Sequence, residues 1–170
     1  MGSAGPDESF EVVLAIESSE HFPSKPRLFE NIFQALVPGG RVAICAWTAA
    51  ERPRSWEISH LLEPICREGR LAGLGTESEY RGWFQHSGFE RVQCSDLTKA
   101  VSRTWSVVAG SVIRELCTPA GWKYLLDSRH RNRGFLKSVI RIPLAYRSGA
   151  LRYLLYTAHR PSAGSSGPGV

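Results

Sequence analysis

Two short apolar runs separated by one helical pattern constrain the fold more than any other feature of the sequence. The runs cover residues 10–16 and 41–47, and both are nearly continuous, as is typical of strands buried on both faces. Between them a helical pattern starts near Pro26, ends at Pro38-Gly39-Gly40, and places apolar side chains on one face: Leu28, Ile32, Phe33, Leu36. Strands joined through a helix run parallel, so the pattern predicts an α/β fold with both strands in one sheet.

The remaining elements follow the same logic. Helices are predicted at residues 56–68, 76–87, 99–116 and, more loosely, 122–142, and strands at 89–96 and 150–158. The helix after Thr76 begins with a capping box, because Glu79 follows three residues later. We expect one domain over residues 1–160 and a disordered tail over residues 161–170, which are almost entirely Gly, Ser, Pro and Ala.

Composition excludes several classes of protein. The chain has 170 residues, of which 42% are hydrophobic, enough for one ordinary core, and no apolar run approaches the roughly 20 residues of a membrane helix. Residues 1–11 lack the basic and apolar regions of a signal peptide, and the four cysteines show no close pair that would begin a metal site. The sequence therefore predicts a cytoplasmic protein without a metal.

Basic residues concentrate in the last third of the chain. Residues 99–170 carry twelve basic and two acidic side chains, and residues 129–141 form a basic amphipathic pattern. One interpretation is peripheral contact with an anionic membrane surface; the other is a helix that packs through its apolar face and leaves its basic face in water. Nucleic-acid binding is not expected, because no aromatic residues alternate with the basic ones.

Longer sequence strings bring a family into view. The string Phe10-Glu-Val-Val-Leu-Ala-Ile-Glu-Ser-Ser-Glu-His21 and the turn Leu36-Val-Pro-Gly-Gly40 resemble the fourth strand, crossover helix and fifth strand of class I S-adenosylmethionine-dependent methyltransferases. Residues 84–92 resemble that family's helix leading into its sixth strand, and residues 149–161 resemble its antiparallel last strand. The likeness is greatest to the small-molecule branch with the tocopherol and sarcosine/dimethylglycine methyltransferases, and it covers residues 10–161.

The resemblance implies a partial Rossmann-like fold, a mixed sheet of parallel strands plus an antiparallel C-terminal strand with helices. The family holds S-adenosylmethionine mainly through a glycine loop after its first strand, and no such loop precedes Phe10. The resemblance therefore implies the C-terminal half of the domain, with an incomplete cofactor site. It also implies an apolar strand edge at residues 10–17 that recruits a partner, either a second copy or an N-terminal half.

Polar residues directly after the first strand are the candidate site. Glu17, Ser18, Glu20 and His21 lie where open α/β sheets bind ligands, past the carboxyl end of a strand. His21 and Glu20 are candidate catalytic bases, since a histidine or carboxylate suits proton removal from an acceptor; the alternative is that they only cap the next helix. The resemblance places Glu17 and Ser18 against the cofactor.

Two tryptophans are candidate substrate-binding residues. Trp47 ends the second strand, and Trp105 lies on a helix that the family folds over its pocket. The alternative is that both are core residues. The resemblance implies methyl transfer to a small organic acceptor, with these residues at its site. The competing hypothesis is a non-catalytic interaction module that uses the sheet edge or the basic helix.

Overall fold

The computed structural model describes residues 10–118 and 133–162. Its strands are β1 (Phe10–Ile16), β2 (Leu36–Ala49), β3 (Glu90–Asp96) and β4 (Leu151–His159). Its α-helices are α1 (Lys25–Ala35), α2 (Ser55–Glu57), α3 (Glu63–Gly69), α4 (Glu77–His86), α5 (Thr98–Leu116) and α6 (Arg133–Ser148). A 3₁₀ helix covers Ser19–His21, and a π-helical turn, Ile58–Leu62, joins α2 to α3.

The four strands form one mixed sheet in the order β1-β2-β4-β3. β1 runs parallel to β2, with Val13 opposite Val42 and Ile16 opposite Cys45, and β4 is antiparallel to both of its neighbours. The predicted α/β fold, with its parallel pair and antiparallel last strand, is confirmed.

Local signals fix most element boundaries. α4 starts with the predicted capping box, in which Thr76 Oγ1 accepts from the Glu79 amide and the Glu79 carboxylate accepts from the Thr76 amide. α1 ends at Ala35, earlier than expected, and the Pro38-Gly39-Gly40 segment belongs to β2. There Gly39 has a φ of +83° and its amide donates to the Arg160 carbonyl, so the turn ties β2 to the end of β4.

One face of the sheet is fully covered. α1 and α4 pack over alternate residues of β2 and β4, and the resulting core contains these buried side chains: Phe29, Leu36, Ile44, Tyr80, Phe84, Leu154, Tyr156. Aromatic rings meet there edge to face, with the Phe29 and Phe84 centroids 4.6 Å apart. This core holds the parallel strand pair in place.

On the opposite face, the described residues cover the sheet only towards the carboxyl end of β2. There α3 and α6 pack against Ala49, Leu151 and Tyr153, with the half-buried Trp47 and Trp105 beside them. Glu68 of α3 pairs with Arg141 of α6 and accepts from Ser138, which joins the two helices. This second cluster encloses the sheet edge at which the candidate residues lie.

The expectation that residues 10–16 form a strand buried on both faces is wrong among the described residues, whereas the strand edge that the resemblance implies at residues 10–17 is present. β1 is an edge strand, and Phe10, Val12, Leu14 and Ile16 on its outer face are exposed. Only Val13 and Ala15 contact the core. The continuous apolar sequence arises because both faces carry apolar side chains, whereas the described residues cover one of them.

Several expectations fall outside the described residues. Residues 119–132 include the start of the predicted basic helix, and residues 163–170 include most of the predicted tail. The division into a domain at 1–160 and a tail at 161–170 therefore stays a prediction. Within 10–118 and 133–162, no helix has both the length and the apolar character needed to cross a bilayer.

Candidate functional site

The candidate site lies where β1 and β2 end side by side. Glu17 follows β1 directly, and its amide donates to the Cys45 carbonyl at 2.9 Å, which prolongs the parallel pairing by one step. Its φ of +47° lies in the left-handed region, which is uncommon for a residue with a side chain. The chain turns sharply there, and the 3₁₀ helix Ser19–His21 follows across the end of β2.

Glu20 fastens this turn to the neighbouring strand. Its carboxylate accepts from the Trp47 amide at 2.5 Å, and its carbonyl accepts from the Ala72 amide at 2.8 Å. The side chain is buried, with 2% of its surface exposed. Burial raises the pKa of the Glu20 carboxyl above its ordinary value, although the hydrogen bond from the Trp47 amide opposes this. Glu20 thus occupies a structural position between three segments.

A second polar contact joins the site to the covered core. The Ser19 hydroxyl lies 2.7 Å from the Tyr80 hydroxyl and donates to Glu20 at 3.3 Å. Ser19 and Tyr80 are fully buried. Burial raises the pKa of Tyr80, so its hydroxyl stays protonated. The 3₁₀ helix is therefore held from both faces of the sheet.

A cavity of about 170 Å³ opens between these elements. It is lined by Glu17, Glu20, His21, Trp47, Gly69 and Leu71. Drug-sized ligands usually occupy pockets of roughly 300 Å³ or more. The cavity therefore accommodates only part of a ligand as large as S-adenosylmethionine. Its two carboxylates suit the hydroxyl or ammonium groups of such a molecule.

His21 stands at the exposed rim of the cavity. Its Nδ1 lies 3.3 Å from the Arg70 carbonyl oxygen, close enough to donate when that nitrogen is protonated. Arg70 ends α3 in the left-handed conformation, with a φ of +54°, and this turn points its carbonyl at the ring. In the tautomer with the proton on Nδ1, Nε2 is the basic nitrogen.

The two predicted tryptophans meet. Their ring centroids are 5.8 Å apart in an edge-to-face arrangement, but only Trp47 lines the cavity. Trp47 Nε1 is buried and has no hydrogen-bond partner in the described parts of the chain. A buried N–H without a partner costs about 1–3 kcal/mol, so the position of the Trp47 ring is maintained by the packing around it. Ser18 lies beside the cavity without lining it.

Two tyrosines near the cavity, Tyr146 and Tyr153, were not predicted from the sequence. Burial raises the pKa of Tyr146 and Tyr153, and the nearby Glu17 charge raises both further. Tyr153 lies opposite Trp47 in the β2–β4 register and so on the same face of the sheet, but this pairing depends on a strand register that the sequence does not show. Tyr146 gave no signal, because the helical pattern was expected to end at residue 142.

No group of three or more metal-ligating side chains lies together within residues 10–118 and 133–162. Asp96, at the end of β3 and two strands across the sheet from β2, has a different role. Burial works against its charge, but hydrogen bonds from Thr98 and Arg152 outweigh burial and lower the pKa of Asp96. It belongs to a surface ion-pair group with Arg152 and Glu77, away from the cavity.

Comparison with known proteins decides the family. A family sequence model described as a methyltransferase domain matches residues 2–94, which is more than half of the chain. The chain belongs to the methyltransferase domain family. The resemblance to class I S-adenosylmethionine-dependent methyltransferases is thereby confirmed.

Named relatives agree with this methyltransferase assignment. Tocopherol O-methyltransferase of Arabidopsis thaliana is 26% identical over 164 residues, which cover 91% of this chain and 45% of the relative. A probable tocopherol O-methyltransferase of Oryza sativa is 23% identical, covering 92% and 43%. The chain spans about half the length of these curated relatives. Both are chloroplastic proteins, and this finding overturns the expected cytoplasmic location.

Among solved structures, a putative sarcosine dimethylglycine methyltransferase from Galdieria sulphuraria superposes with a TM-score of 0.71. It is 17% identical, and the match covers 91% of this chain and 54% of the other. This likeness shows that the methyltransferase fold extends over the described strands and helices.

Proposed function

We propose that this chain supplies the acceptor side of an S-adenosylmethionine-dependent methyl transfer to a small organic molecule. The observation that carries the proposal is the cavity at the carboxyl ends of parallel strands β1 and β2. It combines two carboxylates, an imidazole and an indole, and ligands of α/β folds bind at this edge. Membership of the methyltransferase domain family supports the same reaction class.

Each residue then has a distinct part. Glu17 binds a polar group of the cofactor, with Ser18 beside it, while His21 Nε2 removes a proton from the acceptor. Glu20 is a positioning residue, since its carboxylate is already engaged with the Trp47 amide. S-adenosylmethionine supplies a methyl group on a positively charged sulfur. Because the cavity holds only part of such a ligand, the cofactor needs contacts beyond the six residues that line it.

The acceptor is a small, largely apolar molecule with a hydroxyl group. Trp47 and Leu71 give the cavity apolar walls, and Trp105 packs behind Trp47. The tocopherol O-methyltransferase relatives support an acceptor of this chemistry.

Cofactor binding is tested by calorimetry with S-adenosylhomocysteine. We expect weak but saturable binding, which Glu17→Gln lowers by about tenfold because a charged hydrogen bond is lost. Glu30→Gln is the matched control, since Glu30 is exposed on α1 and distant from β1's end. Equal affinity of both variants would place the cofactor elsewhere, and a lack of saturable binding would contradict the proposal.

The proton-accepting role of His21 is tested by measuring the rate at which the protein methylates its acceptor. We expect His21→Asn to slow the reaction by about 10²–10⁴-fold while leaving S-adenosylhomocysteine affinity unchanged. The control is His86→Asn, an exposed histidine at the end of α4. A rate unaffected by His21→Asn would remove this residue from the mechanism.

A second candidate function rests on β1, which is an edge strand among the described residues and has exposed apolar side chains on its outer face. The backbone groups of an apolar edge strand can pair with another strand and thereby recruit a partner. The candidate partners are a second copy of the chain or a polypeptide that carries the rest of the domain. Neither depends on catalysis by this chain.

A further inference from the structure

Helix α6 carries an exposed stripe that packing among the described residues does not explain. The stripe consists of Lys137, Ile140, Leu144 and Arg147, spaced three, four and three residues apart and all exposed. Ile140 is 56% exposed and Leu144 is 46% exposed. These side chains share one helical face, with a basic residue at each end and apolar residues between them. We call this set the α6 stripe.

The opposite face of α6 already satisfies its own packing. Val139, Ile142, Ala145 and Tyr146 are buried, and three of them belong to the second hydrophobic cluster. A helix that merely docks on its own domain needs this one face, with polar residues on the other. Ile140 and Leu144 are apolar residues beyond that need.

The charged side chains of α6 itself are all basic. Residues 133–148 contain four basic and no acidic side chains. Arg141 is paired with Glu68, but Lys137 and Arg147 have no ion pair among the described residues. α5, which packs on α6, adds exposed Lys99, Arg103, Val107 and Arg114, with Glu115 as its one exposed acidic side chain among the described residues. The surface thus combines unpaired positive charge with apolar side chains.

This combination matches a lipid surface better than other anions. A bilayer interface presents negative headgroups above an apolar layer, and interfacial helices bury their apolar residues about 5–10 Å into it. Nucleic acid would pair with the basic residues but would leave Ile140 and Leu144 in water, and the stripe has no aromatic side chain for base stacking.

We propose that the α6 stripe docks on an anionic lipid surface, with Ile140 and Leu144 inserted and Lys137 and Arg147 against the headgroups. The docking is peripheral and independent of the proposed methyl transfer. The sequence-based expectation placed the membrane contact at residues 129–141. The present proposal places it instead on the four residues of the α6 stripe.

The test is co-sedimentation of the full chain with phosphatidylcholine vesicles that contain or lack phosphatidylserine. We expect binding only with phosphatidylserine, and weaker binding as salt is added. Ile140→Ser with Leu144→Ser, and separately Lys137→Glu with Arg147→Glu, should each lower the partition coefficient by about tenfold or more. Unchanged circular dichroism spectra will show that these exposed substitutions leave the fold intact.

Two controls separate the stripe from general charge or hydrophobicity. Arg27→Glu with Arg41→Glu makes the same change in net charge at exposed positions elsewhere, and Leu14→Ser removes an exposed apolar residue from β1. Both should bind vesicles as the unaltered chain does. The proposal would be overturned if the control variants lost as much binding as the stripe variants, or if vesicles of phosphatidylcholine alone bound equally well. It would also be overturned if the chain bound RNA but did not bind vesicles.

Discussion

The two faces of the sheet both carry apolar side chains, but other elements cover these side chains to different extents. On one face, α1 and α4 cover alternate residues of β2 and β4, so that Ile44 and Tyr156 are fully buried. On the other face, at β1, Leu14 is 63% exposed, although it is as apolar as the covered residues. Alternate positions of β1 are apolar on both sides, so its sequence is suited to two covered faces. The helices among the described residues cover one.

The largest expected effect separates the two faces by stability. Phe84 is fully buried among aromatic rings on the covered face, and Phe84→Ala should lower the free energy of unfolding by about 3–5 kcal/mol. Leu14→Ala on the open face should change it by less than about 0.5 kcal/mol, because little buried surface is lost. Urea denaturation followed by far-ultraviolet circular dichroism measures both.

A large loss on Leu14→Ala would break this comparison. It would mean that Leu14 is buried in solution, either by another copy or by residues outside the described parts of the chain. Repeating the denaturation at several protein concentrations distinguishes these cases, since only association makes the midpoint depend on concentration.

An intermediate effect is expected where the two faces meet, at Glu20. Glu20→Ala removes the acceptor of the Trp47 amide and should cost about 1–3 kcal/mol. Glu20→Gln keeps an acceptor oxygen without the charge and should cost less. Urea denaturation of both variants at neutral pH checks this order, and equal losses would show that the carboxylate charge itself is required.

The pH dependence of Glu20 has a defined sign. Burial raises its pKa in the folded protein above the ordinary value, so folding favours the protonated form. Its contribution to stability is therefore full below the unfolded pKa and is lost as pH rises through the folded pKa. Relative to Glu20→Gln, the unaltered chain should lose stability as pH rises from about 4.5 towards neutrality. A constant difference between the two proteins over that range would contradict this.

The sequence predicted the parallel β1–α1–β2 unit because its signals are local. Apolar runs, Pro26 and the glycine turn act over a few residues each. The place of the site followed from this unit, since parallel strands end at the same edge. Glu17, Glu20, His21 and Trp47 accordingly line one cavity.

What the sequence could not show depends on contacts between distant residues. The Glu20 carboxylate meets the Trp47 amide 27 positions away, and nothing near Glu20 distinguishes this from a free catalytic base. α6 was expected to end before Pro143, which lacks an amide hydrogen, but it continues to Ser148. Burial of Ala145 and Tyr146 against the second cluster stabilises that extension, and it brings Tyr146 to the site.

The smallest expected effect on stability tests the open face directly. Leu14→Lys should leave unfolding nearly unchanged but reduce self-association, because a charge on an edge strand opposes pairing with another strand. Sedimentation velocity over a range of concentrations measures the association. Leu144→Lys makes the same change at an exposed site on α6, and we expect it to leave association intact.

If both variants become monomeric together, general surface hydrophobicity causes the association and β1 has no special part. If the unaltered chain is a monodisperse monomer, the exposed face of β1 does not recruit a second copy, and the two faces differ in exposure without a difference in binding.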